Sequence, residues 1–307
     1  MPYSNPKALQ SALNARARSA AREQGIPASQ LVNRFLLARL MARVFVHDPQ
    51  GWVLKGGQAL LVRWPDARYS RDVDLYRTHD NGLDDAVRAL REAARVDLDD
   101  FLRFEFRDVE RQWEEAATCR TRFDVYSGTK SSGAVAVDIV ANLRPQGEPY
   151  RSQLELPFVI DLGDHSAPEI RMWPLEDHVA DKIAAMYERH RGYPSSRVKD
   201  LVDLVLVALR AELDGATTHA ALHAEVDRRR AADVDITLPP QFEIPERASW
   251  ASGYQAAVRS TPALTKQYPT LQDCEPLMAE LVTPLLGPRA PGRWNPDEGR
   301  WTELDDR

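Results

Sequence analysis

The chain is poor in cysteine and lysine, has no long apolar run and carries no surplus of positive charge. Only two cysteines occur among 307 residues, Cys119 and Cys274. They lie far apart without metal-ligand spacing, which excludes a disulfide framework and a zinc knuckle and makes a reducing cytoplasm the expected compartment. The longest apolar stretch, near 201–209, is too short to span a bilayer, and the opening MPYSNPKALQ lacks the basic-then-apolar layout of a secretory signal. Neither a membrane span nor a leader is therefore expected. Glycine (15) and proline (21) are too few for a collagenous or low-complexity chain. With 43% apolar and 28% charged residues in 34.6 kDa, the composition is that of a globular protein with room for one large domain or two small ones.

A net charge of −6 excludes a histone-like nucleic-acid binder, but the charge is uneven: residues 1–50 carry +5 and the rest −11. A polyanion would be expected to meet the N-terminal segment first, although a solvated helix face explains the same arginines. The basic residues are 34 Arg and only six Lys. A lysine retained in an arginine-biased chain marks a place where a compact, rotatable ammonium is useful. Lys55 and Lys182 fall in the motifs below.

Apolar periodicity predicts helices over 5–24 and 28–46, the second capped by Ser29, then a short strand at 52–55, a Gly56-Gly57 turn and a helix from Gln58 to Arg63. Alternation predicts strands at 68–76, 101–109, 120–127 and 135–141, with a helix at 83–96 and an edge strand at 154–162 demoted by Pro157. Helices follow at 175–190, 196–212, 217–231 and 271–286. The expected class is α+β, a mixed sheet with flanking helices plus a helical C-terminal half. Its expected divisions are N-terminal helices over 1–48, an α/β core over 49–165, a helical domain completing the active site over 166–288, and a flexible tail over 289–307.

On a strand, residues i and i+2 face the same way, so Ser70, Asp72 and Asp74 are expected side by side with Val73 and Leu75 turned inward. Two adjacent carboxylates repel unless a cation lies between them, and Mg²⁺ favours one or two carboxylates plus substrate phosphates. Such pairs are also common on exposed strands. Upstream, Lys55-Gly56-Gly57 joins a strand to a helix, where bare backbone N–H groups can receive a phosphate, or where the glycines simply make a tight turn. Downstream, Asp138 sits in the apolar strand AVAVDIV. Partly buried there, it needs a partner or a metal, and a third carboxylate would complete a two-metal site; a hydrogen bond from a neighbouring backbone amide is the plainer alternative.

These residues resemble the AbiEii/AbiGii-type, MenT-like nucleotidyltransferase toxins of the DNA polymerase β superfamily. Lys55-Gly56-Gly57 with Leu60, then Arg68 and Ser70-x-Asp72-x-Asp74-Leu75, match the family's opening; Leu175-Glu176-Asp177-His178-Val179-Ala180-Asp181-Lys182-Ile183 matches its lysine helix, and Arg197-Val198-Lys199-Asp200-Leu201-Val202-Asp203-Leu204 its Arg-x-x-Asp-x-x-Asp-Leu helix. The resemblance covers roughly 50–210. It implies that Asp72, Asp74 and Asp138 bind Mg²⁺ or Mn²⁺, that Lys182 holds the triphosphate of an NTP co-substrate, that Asp200 completes the site, and that Asp138 takes the incoming hydroxyl's proton. Lys55, Gly56, Gly57, Ser70 and Arg197 are the expected nucleotide-binding positions. The superfamily's usual Gly-Ser turn is Gly56-Gly57 here, and Ser70 is expected to supply the missing hydroxyl. Lys182 as a solvated helix residue, and Asp203 in a helix-surface ion pair with Lys199 four residues earlier, are the structural alternatives. The implied activity is transfer of a nucleoside monophosphate to the tRNA 3′ end, blocking translation, by the toxin of a pair whose antitoxin is winged-helix; the alternatives are a nucleotidyltransferase acting on a protein side chain or small molecule, and a non-catalytic interaction module of the same fold. Arg189, Arg191 and Arg197 offer a path for an RNA backbone.

Overall fold

The structure, a computed structural model, describes residues 3–79, 82–111, 118–141, 144–163 and 168–302. The chain divides into two compact units. The first comprises 1–65, 69–144 and 149–172, and the second comprises 66–68, 145–148 and 173–307.

The first unit opens with α1 (Pro6–Gln24) and α2 (Ala28–His47). Asn5 caps α1 by accepting from the Ala8 amide at 2.9 Å, Pro6 fits the first turn, and Gly25 ends it in the left-handed region. Ser29 does not cap α2; the cap position is Pro27, which makes no side-chain cap bond. Next come β1 (Trp52–Lys55), α3 (Gly56–Arg63), β2 (Val73–Arg77), α4 (Gly82–Ala93), β3 (Leu102–Arg111), β4 (Thr118–Ser127), β5 (Lys130–Val140), β6 (Tyr150–Gln153) and β7 (Glu169–Met172). They form one mixed sheet in the order β3-β4-β5-β2-β1-β7-β6, parallel only at β5–β2 and β1–β7. β4 alternates as a half-buried strand should, with Cys119, Thr121, Phe123 and Val125 inward and Arg120, Arg122 and Asp124 outward. The inward faces of β2, β4 and β5 share one core with α1, α2 and α4.

Two differences from expectation have clear causes. The strand expected over 68–76 begins only at Val73, and the edge strand expected at 154–162 is displaced: β6 precedes it and pairs with β7, which carries no alternation strong enough to stand out. The N-terminal charge is also less available than its count. Arg39 and Arg43 are fully buried, and both grip Asp100, at 2.7 and 2.5 Å. Burial alone would raise the Asp100 pKa, but the two guanidiniums hold it below the usual carboxylate range. Lys7, Arg16, Arg18 and Arg22 remain exposed.

The second unit contains α5 (Leu175–Tyr187), β8 (Glu188–His190), β9 (Tyr193–Pro194), α6 (Val198–Arg210), β10 (Leu213–Asp214), α7 (Gly215–Ala231), β11 (Asp235–Ile236), α8 (Arg247–Val258), α9 (Leu271–Leu286), β12 (Arg293–Asn295) and β13 (Arg300–Trp301). Helix α6 is buried nearly all round from Asp200 to Ala208, as the central helix of a bundle is. Arg229 of α7 ties to Asp181 of α5 at 2.8 Å and to Glu188 at 2.5 Å. The expected flexible tail instead holds the β12–β13 hairpin. Trp294 there is fully buried and donates from Nε1 to the Ala208 carbonyl at 2.8 Å. A glycine- and proline-rich composition hid this, because one large aromatic anchors a segment that otherwise has the makeup of a linker. Among the described residues, no helix is long and apolar enough to cross a membrane.

Candidate active site

In the first unit the chemistry gathers at one end of β1, β2, β4 and β5. Lys55 closes β1 and pairs in register with Asp74 of β2, and α3 starts at once from Gly56. Gly56 has φ +69, and a Cβ added to it would lie 1.7 Å from Asp74 Oδ2. Glycine is needed there twice over, for a left-handed backbone and for the close approach of that carboxylate. Gly57 follows, buried in the first turn of α3. Ser70, Arg71 and Asp72 form an irregular lead-in rather than strand: Ser70 Oγ donates to the Asp72 carbonyl at 3.2 Å, and Gln58 Nε2 to the Ser70 carbonyl at 2.9 Å. The expected strand-face alignment of Ser70 with both aspartates is thus replaced by a turn that fixes the backbone just before Asp74.

Across β2 and β5, which run parallel, Asp74 and Asp138 are register partners; across β5 and β4, Asp138 pairs with Arg120. Arg120 places Nε 2.8 Å from Asp138 Oδ1 and one terminal nitrogen 2.8 Å from Asp138 Oδ2 and 2.8 Å from Asp72 Oδ2. The partner Asp138 needed is therefore a guanidinium. The hydrogen bonding to Asp138 leads the effects that raise the Arg120 pKa above its already high value, so it is always charged. The side chains of Asp72, Arg120 and Asp138 are 36%, 39% and 31% exposed, within reach of a ligand. Beside Asp72 lies a hollow of about 250 Å³ lined by Asn33, Tyr69, Arg71, Arg122, Ala134 and Ala136. Among the described residues, no three His, Cys, Asp or Glu side chains are grouped so as to hold a metal by themselves.

The second unit holds a separate charged cluster. Asp200 and Asp203 lie three residues apart on one face of α6, and Lys182 of α5 reaches both, Nζ to Asp200 Oδ1 at 2.9 Å and to Asp203 Oδ2 at 2.7 Å. Arg68 forks onto Asp203 at 3.2 and 2.9 Å, and Arg197 donates to Asp200 Oδ2 at 2.6 Å. Lys182 is 4% exposed, so it is not a solvated helix residue. Asp203 is 1% exposed and bound by Lys182 and Arg68, which replaces the expected surface pair with Lys199. Burial would push the Asp203 carboxyl up, but the charges of Lys182 and Arg68 overcome it and hold the group at about 2. Burial likewise disfavours charge on Lys182, and Asp200 and Asp203 more than offset it, raising its pKa. Arg189 and Arg191 belong to the β8–β9 turn, with Arg191 at φ +53.

Sequence reasoning missed Arg120 altogether and saw Arg68 only as part of a motif. The signal for Arg120 was its outward position on β4; its pairing with Asp138 was not readable without the register.

The model of the family described as nucleotidyl transferase AbiEii toxin, type IV toxin–antitoxin system, matches residues 39–274. No curated protein sequence matches the chain. Among solved structures, JHP933 from Helicobacter pylori is similar at 16% identity and TM-score 0.39, covering 78% of this chain and 94% of that one. A second H. pylori structure, described as a candidate nucleotidyltransferase, is similar at 16% identity and TM-score 0.40, covering 77% and 97%. With the family model spanning most of the sequence and taking in the carboxylates of the first unit and the lysine cluster of the second, the chain belongs to the AbiEii nucleotidyltransferase toxins of type IV toxin–antitoxin systems.

Proposed function

We propose that the protein transfers a nucleoside monophosphate from an NTP to the 3′ hydroxyl of tRNA, in the cytoplasm, and so blocks translation until a cognate antitoxin, winged-helix in type, neutralises it. The observation that carries the reading is the placement of the Asp74 carboxylate against the Gly56 turn, with Asp72 two residues earlier in the lead-in to the same strand. It brings one hard oxygen donor directly against a strand-to-helix junction and a second close to it in sequence. That donor set fits a single Mg²⁺ or Mn²⁺ whose other positions come from phosphate oxygens and water. When bound, the ion supplies positive charge to offset the departing pyrophosphate.

The chain's own residues do the rest. Gly56 and Gly57 leave the N-terminus of α3 open to a phosphate, with Lys55 immediately before that turn and the Ser70 hydroxyl as a further group for the triphosphate. In the second unit Lys182 spends two of its three donors on Asp200 and Asp203, which keep it charged and fixed; its role toward the triphosphate rests on the family resemblance. Arg197, more than half exposed, adds a second cation there. Asp138 has both oxygens engaged by Arg120, which makes it a poor proton acceptor. In the reaction the acceptor oxygen bonds to the α-phosphorus, the bond to the β-phosphate bridge breaks, and the hydroxyl proton leaves to solvent. Support for RNA as acceptor comes from the family resemblance and from the exposed Lys7, Arg16, Arg18 and Arg22.

The test is incubation with Mg²⁺, total tRNA and each α-labelled NTP in turn, alongside Asp74→Ala. Label on tRNA with wild type and none with the variant is expected. Label on protein alone, or equal label with both, would refute the proposal.

A further inference from the structure

Three carboxylates and one guanidinium stand together in the first unit. Asp74 and Asp138 are neighbours across β2 and β5, Asp138 and Arg120 across β5 and β4, and Arg120 also reaches Asp72. The grip of Arg120 is unequal. It takes both oxygens of Asp138, at 2.8 and 2.8 Å, in the fork geometry that guanidinium and carboxylate share, but only one oxygen of Asp72, at 2.8 Å. A cation arriving at Asp72 has one hydrogen bond to compete with, whereas at Asp138 it has two. Arg120 engages one oxygen of Asp72 and both oxygens of Asp138.

We propose that Arg120 is a built-in counter-cation that limits this group of carboxylates to one divalent ion, held by Asp72 and Asp74, by keeping Asp138 out of coordination. The inference rests on the reading of Asp72 and Asp74 as ion ligands given above. The guanidinium supplies in fixed form the positive charge that a second ion would otherwise bring, and it acts through the carboxylates as a positioning residue.

The experiment is a Mn²⁺ titration of the full chain without nucleotide, read by the paramagnetic resonance signal of free Mn²⁺, with the thermal melt of each variant recorded alongside. Wild type should bind one ion per chain. Arg120→Gln removes the guanidinium and frees Asp138. Losing a unit charge about 5 Å from a divalent ion, even at a water-like dielectric, should tighten the first ion about tenfold or more and admit a second. Arg120→Lys keeps the charge and should return the first-ion affinity to within about threefold of wild type, a rescue that a merely structural role does not predict. Arg120→Gln combined with Asp138→Asn should return to one ion. Two ions on wild type would overturn the proposal, even if the Gln variant did not fold. So would an Arg120→Gln variant with wild-type affinity and one ion, or an Arg120→Lys variant tightened as much as the Gln variant. Binding to none of these proteins would overturn the ion-ligand reading itself, and this inference with it. One ion on wild type, lost in Asp74→Ala and unchanged by Arg120→Gln, would spare that reading and refute this inference alone.

Discussion

Replacing Lys182 by methionine removes one charge from a place where charges are almost completely enclosed. Asp200 and Asp203, with side chains 5% and 2% exposed, would each lose a hydrogen bond and a neighbouring cation. Removing one partner of a buried ion pair typically costs about 3–5 kcal/mol, because the remaining charge is left uncompensated. Here each aspartate retains an arginine, Arg197 on Asp200 and Arg68 on Asp203, so the lower end, about 3 kcal/mol, is expected. Lys199, exposed on α6, is the control, because Lys199→Ala should change stability by no more than about 0.5 kcal/mol. Urea unfolding of the two variants and wild type, followed by far-UV circular dichroism, gives both numbers. A Lys182→Met protein within about 1 kcal/mol of wild type, or a Lys199→Ala protein destabilised as much, would refute the assignment of the ion cluster. Nucleotidyl transfer by Lys182→Met, measured under conditions where it remains folded, separates the phosphate role from stability.

The same cluster has a pH signature. The Asp203 carboxyl, at about 2 in the folded chain, is depressed from its usual value of about 4. Its contribution of about 2–3 kcal/mol is therefore present above about pH 4 and lost as pH falls towards 2, a loss that Asp203→Asn should remove from a stability-versus-pH curve. Gly56→Ala should cost more than Gly25→Ala, although both have positive φ, because only Gly56 faces Asp74 while nothing lies within 4 Å of Gly25. About 1 kcal/mol is expected at Gly25 and more at Gly56, with Mn²⁺ binding weakened only in the Gly56 variant, as melting and titration would show. Trp294→Ala should cost about 3–5 kcal/mol by denaturant unfolding, since it empties a fully enclosed site and orphans the Ala208 carbonyl; a cost near zero would mean that β12–β13 is dispensable.

How far the sequence disclosed this molecule depended on whether the information was local. Helices α1, α2, α6, α7 and α9 were readable because apolar spacing and caps act within a few residues, and the Asp72–Asp74 pair stood out because its spacing is two. The lysine helix was readable from its apolar spacing but the role of Lys182 only through resemblance, and what the helix turned out to hold, a buried ion cluster that includes Arg68, depends on residues more than a hundred positions apart. Arg120 was hidden for a sharper reason. The hairpin pairs Ser127 with Lys130, and a regular ladder from that turn would set Arg120 opposite Val137, on the inward face. One irregularity, between the pairs Val125/Gly133 and Tyr126/Ser131, shifts the register by one and brings Asp138 opposite Arg120 instead. A single extra residue in β5 thus decides whether the strand's only carboxylate meets a guanidinium or faces it from the wrong side. No periodicity in the sequence reports where such a bulge falls, so the pairing of Asp138 with Arg120 is written in the register and not in the motif.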